Sequence, residues 1–342
     1  MTAHATGLPA RRPREAGALR RYLCSLPLGA ALGVGLLVAM LKLLALASAL
    51  PPPQISNNLC LDEKLAFMRA APPRDPNLLV VGSSVAWRHF NSPEAVRLDP
   101  AIRPYNAGLC GASIAQTEAV TRWLLGRLPS VKEVLWIASP NDFSDCSATA
   151  PSTFDVGTAD RYVFGRKPTL LLYFDYFDPR VLLANAVRVH HDRYDSSSFD
   201  SLVMNRYGDG PLEPKAAREL EYGALSFDPA CFDALRRVAT DLTARQVRLR
   251  VALNPVNPLW RTEFDPSGHA LAEWEGRVSG TLAGTTARLD NLDDRFPTAA
   301  FFDAIHLRWS YTPQFTSALI AAPPNAPGAQ LPQAVPDKRV RL

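Results

Sequence analysis

The strongest constraint on this chain is a run of 20 uncharged residues, Tyr22–Leu41, made mostly of Leu, Ala, Gly and Val. Lys42 interrupts it, and Leu43–Leu50 continues apolar. A run of that length matches the ~20 residues an α-helix needs to cross a bilayer. Residues 1–21 carry Arg11, Arg12, Arg14, Arg20 and Arg21 against Glu15 alone. The excess of arginine on one flank predicts an N-terminus in the cytoplasm and a body outside it. Lys42 then sits near the outer end, where its stem can lie along the span and its ammonium reach water. Ala47-Ser48-Ala49 has the form of a signal-peptide cleavage site. The apolar run is longer than a usual signal core of about 7–15 residues, so a retained anchor over 22–50 is expected.

The chain has 342 residues and a net charge of +4. The first 21 residues account for all of that charge, and the remainder holds equal numbers of basic and acidic side chains. A body without a basic stripe is not built to track phosphates, which excludes nucleic acid as the expected partner. Of the five cysteines, Cys24 lies in the span, while Cys60, Cys110, Cys146 and Cys231 lie in the body. The body's compartment permits disulfides, and four cysteines allow three complete pairings, which spacing does not choose among. A Cys110–Cys146 bridge is one of them. No zinc-type Cys/His spacing occurs, so neither metal nor cofactor is expected.

Pro51–Pro53 and the polar residues after it read as the start of a stalk over 51–73. A body over 74–322 follows. Asn77–Val81 is a short apolar run closing on Gly82-Ser83-Ser84, the pattern of a buried parallel strand and a tight turn. Ser92-Pro93 resembles a helix start with serine as cap. Ser113 and Gln116 form a capping box, and the helix after them sets Val120, Leu124, Leu125 and Leu128 on one face. Val131–Ala138 and Leu249–Leu253 are expected strands, with an amphipathic helix over Cys231–Arg245 between them. Ala299–Phe302 is expected as the final strand, ending at Asp303. A helix from Thr312-Pro313 to about Ala322 closes the body. This alternation predicts a three-layer α/β/α fold with a mainly parallel sheet. Residues 151–230 break the alternation and read as an inserted cap. Within the cap, Tyr173–Phe177 reads as core, and His190-His191-Asp192 as a solvated turn rather than a metal site. Residues 323–342 are Pro-rich and expected to be disordered.

Four short blocks fall just past predicted strand ends, where sites form in open α/β sheets. They are Gly82-Ser83-Ser84, Asn106-Ala107-Gly108, Ser139-Pro140-Asn141-Asp142 and Asp303-Ala304-Ile305-His306. In order and spacing they resemble the SGNH/GDSL hydrolase superfamily. Ser83 stands where that family usually has aspartate, a variant that also resembles membrane-anchored acyl-transfer proteins of the cell envelope. The resemblance covers roughly 77–145 and 230–322. It implies Ser84 as nucleophile, His306 as base and Asp303 as the group orienting it. It also implies an oxyanion hole built from the backbone amides of Ser84 and Gly108 and the side chain of Asn141. Gly82, Ser83, Asn106 and Asp142 would support these blocks. The chemistry suits the residue types, because a serine hydroxyl needs a base to become nucleophilic and the developing oxyanion needs fixed donors. The resemblance therefore implies an esterase or O-acyltransferase in the inner membrane, its body in the periplasm. Its substrate would be an envelope polysaccharide or acyl ester, and a membrane acyl-donor protein a candidate partner. A lipase or thioesterase, and a non-catalytic scaffold, are the competing readings.

Overall fold

The computed structural model of the chain describes residues 13–165, 167–220, 222–292 and 295–321. The expected tail over 323–342, and Arg11 and Arg12, lie outside the described residues. Two units are present, residues 1–50 and 51–342.

The first unit is one long helix, α1 (Pro13–Leu46). Its stretch Tyr22–Leu46, 25 residues, is long and apolar enough to cross a membrane, and a signal sequence would have the same character. The helix ends four residues before the expected boundary, in a turn where Ser48 has φ 54°.

The second unit opens on residues that do not form a stalk. Pro51, Pro52, Pro53 and Gln54 are buried, and Asn58 caps α2 (Leu59–Ala70) by accepting from the Cys60 amide at 3.0 Å. Leu61, Leu65 and Met68 on α2 belong to the main core. The apolar spacing of this helix is masked in sequence by Asp62, Glu63 and Lys64, all three of which are buried. Glu63 pairs with Arg193 (2.5 Å), and the Lys64 ammonium donates to the Gly208 carbonyl (2.6 Å).

The sheet begins with β1 (Leu78–Gly82), buried along its whole length. Next come α3 (Ser84–His89), α4 (Ser92–Leu98), β2 (Pro104–Asn106), α5 (Ile114–Leu125) and β3 (Glu133–Ala138). The α4 cap is Asn91, whose side chain accepts from the Glu94 amide, with Ser92 the first helical residue. The Ser113–Gln116 capping box of α5 is present, and Val120, Leu124 and Leu128 are buried. Between β3 and the next strand lie α6 (Val156–Val163), α7 (Thr169–Asp175), α8 (Pro179–Asp192) and α9 (Pro229–Ala244). The chain closes with β4 (Arg248–Leu253), α10 (Pro258–Phe264), α11 (His269–Leu282), β5 (Arg288–Asn291) and α12 (Thr312–Ala321).

The five strands are all parallel, in the order β2-β1-β3-β4-β5. In such an order the chain direction across the sheet reverses between β1 and β3, and ligands bind in the crevice at that point. The fifth strand is Arg288–Asn291, not the expected Ala299–Phe302. Its four residues carry little apolar signal, because β5 is an edge strand whose Asp290 pairs with Arg250 and Arg288. Residues Thr298–Ala300 instead form a 3₁₀ turn, and Phe301 makes one antiparallel bridge to Leu307. That bridge closes a small loop around Asp303 and His306.

Two disulfides join the body, Cys60–Cys110 and Cys146–Cys231. Neither is the Cys110–Cys146 pair weighed above.

Candidate active site

The turn after β1 depends on Gly82. It has φ 142°, and a Cβ there would lie 2.2 Å from the Ile137 carbonyl oxygen of β3. Only glycine lets β1 end so close to its neighbour and still turn into α3. Ser83 is the capping position of α3 and is buried, whereas Ser84 is the first helical residue and partly exposed. The strand end thus presents one of two adjacent serines to the crevice.

The Ser84 hydroxyl lies 2.8 Å from His306 Nε2. On the far side of the ring, Nδ1 lies 2.7 Å from Asp303 Oδ2. The other Asp303 oxygen accepts from the amides of Ile305 (2.9 Å) and His306 (2.7 Å), which fixes the carboxylate in the loop. Burial alone would raise the Asp303 pKa, but the adjacent His306 ring and these hydrogen bonds hold it below the ordinary carboxylate value. An ionised Asp303 retains the proton on Nδ1 and leaves Nε2 as the acceptor facing Ser84. Phe302 stacks on the His306 ring at 5.5 Å between centroids.

The four sequence blocks are thus brought to one place, but their members divide between solvent-facing and structural roles. Asn141 is half-buried in the 3₁₀ turn after β3 and lines the same cavity as Ser84. Its side-chain amide has no hydrogen-bond partner among the described residues. Asp142 points inward and accepts from the Ser139 amide at 2.9 Å. Burial pushes its pKa up to about 7, partly opposed by that hydrogen bond. Asn106 is fully buried, donating to the Ala86 carbonyl (2.9 Å) and to Asp209 (3.0 Å).

Gly108 requires a correction. Its amide donates to Asn106 Oδ1 at 3.0 Å and is therefore committed inside the protein. A Cβ on Gly108 would lie 2.4 Å from the Trp87 nitrogen, so this glycine serves the close approach of the loop to α3. The glycine at the cavity is Gly111, with φ 62°, lining the space beside Ser84 and Asn141. Among the described residues its amide has no acceptor, and the same holds for the Ser84 amide at the start of α3. The sequence signal was present, since Gly111 follows Asn106 by five residues, but the nearer Gly108 drew the assignment.

Sequence reasoning also missed the brace behind the triad. His89, at the end of the helix that Ser84 begins, is fully buried, and its Nε2 accepts from the Leu307 amide at 2.9 Å. Its Nδ1 therefore carries the proton and donates to Asn254 Oδ1 at 2.7 Å. The Asn254 amide in turn donates to the Ile305 carbonyl at 2.8 Å. Asn257 holds the Asp303 carbonyl at 2.9 Å. The Asn254-Pro255-Val256-Asn257 segment after β4 thereby clamps both sides of His306. Burial drives the His89 pKa down to about 3, with the nearby His306 adding to the effect.

Ser84 lies between two cavities. One, of about 460 Å³, is lined by the polar side chains of Gln116, Asn141, Asp145 and Ser226 together with Ala112, Leu225 and Ile305. The other, of about 340 Å³, extends past His306 to Arg188, Phe199 and Arg218. Both volumes fall in the range of small-molecule sites. The segment expected as a cap supplies walls to both, with Tyr222 lining each. In that segment Tyr173 is buried, while Phe174, Tyr176 and Phe177 are exposed. His190, His191 and Asp192 form the last turn of α8, with His191 Nδ1 3.0 Å from Asp192.

No protein-family model matches the chain, and no curated protein matches it.

Proposed function

We propose that the body is a serine-dependent acyl-transfer enzyme, an esterase or O-acyltransferase, with a three-layer fold of the SGNH/GDSL type. The observation that carries this reading is the continuous hydrogen-bonded chain Ser84–His306–Asp303 opening onto a cavity with unengaged donors. In the reaction, Ser84 Oγ attacks an ester carbonyl as His306 Nε2 takes its proton. The carbonyl oxygen becomes an oxyanion facing the amides of Ser84 and Gly111 and the side chain of Asn141. His306 returns the proton to the departing alkoxide, leaving an acyl group on Ser84. An incoming hydroxyl, from water or a sugar, gives its proton to His306 and takes the acyl group. Asp303 stabilises the imidazolium in both halves.

The larger cavity is small and sets Gln116, Asn141, Asp145 and Ser226 beside Ala112, Leu225 and Ile305, a mixed lining that suits a short acyl group on a hydroxylated acceptor, such as an envelope glycan, better than a long acyl chain. The placement follows the same reading. The apolar helix anchors the chain in the inner membrane, the arginines stay cytoplasmic, and two disulfides suit a body in the oxidising periplasm. A membrane acyl-donor protein is the partner such a transferase would use.

The test is mass spectrometry of the full chain after incubation with an activated acetyl ester. An acetyl adduct on Ser84, absent from Ser84→Ala, is the expected result. No adduct and no ester turnover by the folded protein would favour a non-catalytic scaffold.

A further inference from the structure

Outside α1, twelve large apolar side chains of the described residues are exposed, and eight of them fall between Leu170 and Val187. That concentration in 18 residues of a large body is not the scattered apolar exposure normal to protein surfaces. The pattern is also facial. On α7 the buried side is Leu172 and Tyr173, and Leu170, Leu171 and Phe174 point the opposite way. On α8 the buried side is Leu182, Asn185, Ala186 and Val189, with Val189 packed on Leu59 and Leu202. Opposite it stand Leu183 and Val187, the latter 74% exposed, with Arg180 and His191 beside them. Tyr176 and Phe177 project from the turn between the helices.

We propose that this hairpin seats its apolar face in the headgroup–acyl boundary of the bilayer that holds α1. The inference rests on the anchor reading of α1. The occupant is identified by where the hairpin is tethered. The Tyr173 hydroxyl donates to the Pro51 carbonyl. Pro51 follows the last residue of α1, Leu46, by five positions. Five residues span at most about 18 Å. Chain connectivity therefore keeps the residue that anchors the hairpin within about 18 Å of the last residue of α1. The composition suits that depth: aliphatic and aromatic side chains dominate the outer face, its Asp175 is neutralised by Lys167 at 2.6 Å, and arginine and histidine can reach phosphates at its edge. The consequence reaches the site, because α8 also brings Arg188 to the wall of the cavity beside Ser84. A docked hairpin holds that cavity within about one helix diameter, ~10 Å, of the headgroups.

The experiment uses the full chain, one copy per lipid nanodisc of phosphatidylethanolamine and phosphatidylglycerol. A fluorophore is attached at Val187→Cys, Phe174→Cys or, as a control on an exposed apolar residue elsewhere, Leu259→Cys, each in a Cys24→Ser background. The remaining cysteines are held in the two disulfides. Shallow doxyl lipids should quench the labels at 187 and 174 and leave 259 unaffected. Aqueous iodide should quench 259 several-fold more than either. Iodide access at 187 and 174 equal to that at 259 would overturn the proposal. So would protection from both quenchers, since protein rather than lipid would then cover the face. A fourth sample, labelled at native Cys24, separates the two readings. Shallow doxyl quenching there, at the start of the span, without quenching at 187 refutes docking alone, and no quenching at Cys24 refutes the anchor.

Discussion

His89→Ala tests whether the buried imidazole braces the loop that carries Asp303 and His306. The substitution leaves two buried groups without partners, the Leu307 amide and Asn254 Oδ1. Each orphaned group costs about 1–3 kcal/mol. Together they predict a loss of about 2–6 kcal/mol at pH 7.5, before the cavity left by the ring is added. The pH dependence is the sharper part. The folded pKa of His89 is about 3 and its ordinary value is 6.5. Above 6.5 the ring is neutral in both states and its hydrogen bonds stabilise in full. As pH falls below 6.5 the unfolded chain takes a proton that the folded protein refuses, so stability drains away towards pH 3. The slope is about 1.4 kcal/mol per pH unit, and at pH 5 the wild type should have lost about 2 kcal/mol through this group. The alanine variant has no such group. The gap between the two proteins, from urea unfolding at pH 7.5 and pH 5.0, should therefore narrow by about 2 kcal/mol. Taking the difference cancels other titrating groups, such as Asp62 and Asp142, whose burial-raised values act in the opposite sense. A gap that stays constant across this range would refute the description of His89 as a neutral, proton-refusing brace.

Other outcomes follow from the same geometry. Ser84→Ala and His306→Ala should each remove most ester turnover, and the double variant should lose little more, because the two act as one unit; additive losses in a steady-state assay would separate their roles. Asn141→Ala should lower kcat by about 10²–10³ with KM nearly unchanged, the signature of a donor used in the transition state, and an effect confined to KM would remove it from the oxyanion site. Gly108→Ala should destabilise the fold by about 1–3 kcal/mol through overpacking against the α3 backbone, read as a shift in the urea midpoint, whereas an unchanged midpoint would contradict the packing role. Removing the Cys146–Cys231 bridge, which closes an 85-residue loop, should cost about 4–5 kcal/mol in the chain-entropy account; calorimetry of the double serine variant measures it.

The residues that gather at the candidate site were easier to read from sequence than the scaffolding. Ser84, Asp303, His306 and Asn141 could be found because short polar motifs follow buried apolar strands, and β1, β3 and β4 announce themselves as mostly apolar runs, broken in β4 only by Arg250 after its first residue. β2 and β5 did not. Three residues are too few for a periodic signal, and the Arg-Leu-Asp-Asn of β5 is held by ion pairs at a half-exposed edge. α2 escaped because its charged residues are buried and partnered, which inverts the usual polarity rule. Gly108 and Gly111 show a different limit. Both are glycines in one loop, and only the hydrogen bond that Gly108 donates to Asn106 reveals which amide is already spent. The brace from His89, Asn254 and Asn257 depends on contacts as far as 218 residues apart, which no local pattern encodes.

The site draws on four separate stretches of chain, and its last members arrive very late. His306 follows Ser84 by 222 residues. At a synthesis rate of roughly 5–20 residues per second, Ser84 exists for about 10–45 s before His306 has been made. A growing chain therefore carries an inert alcohol, not a reactive one, however early the first strand forms. Truncated products are silent for the same reason. Any chain released before Asp303 lacks both hydrogen-bonding partners behind the Ser84 hydroxyl, so under the proposed function incomplete copies would carry no esterase activity.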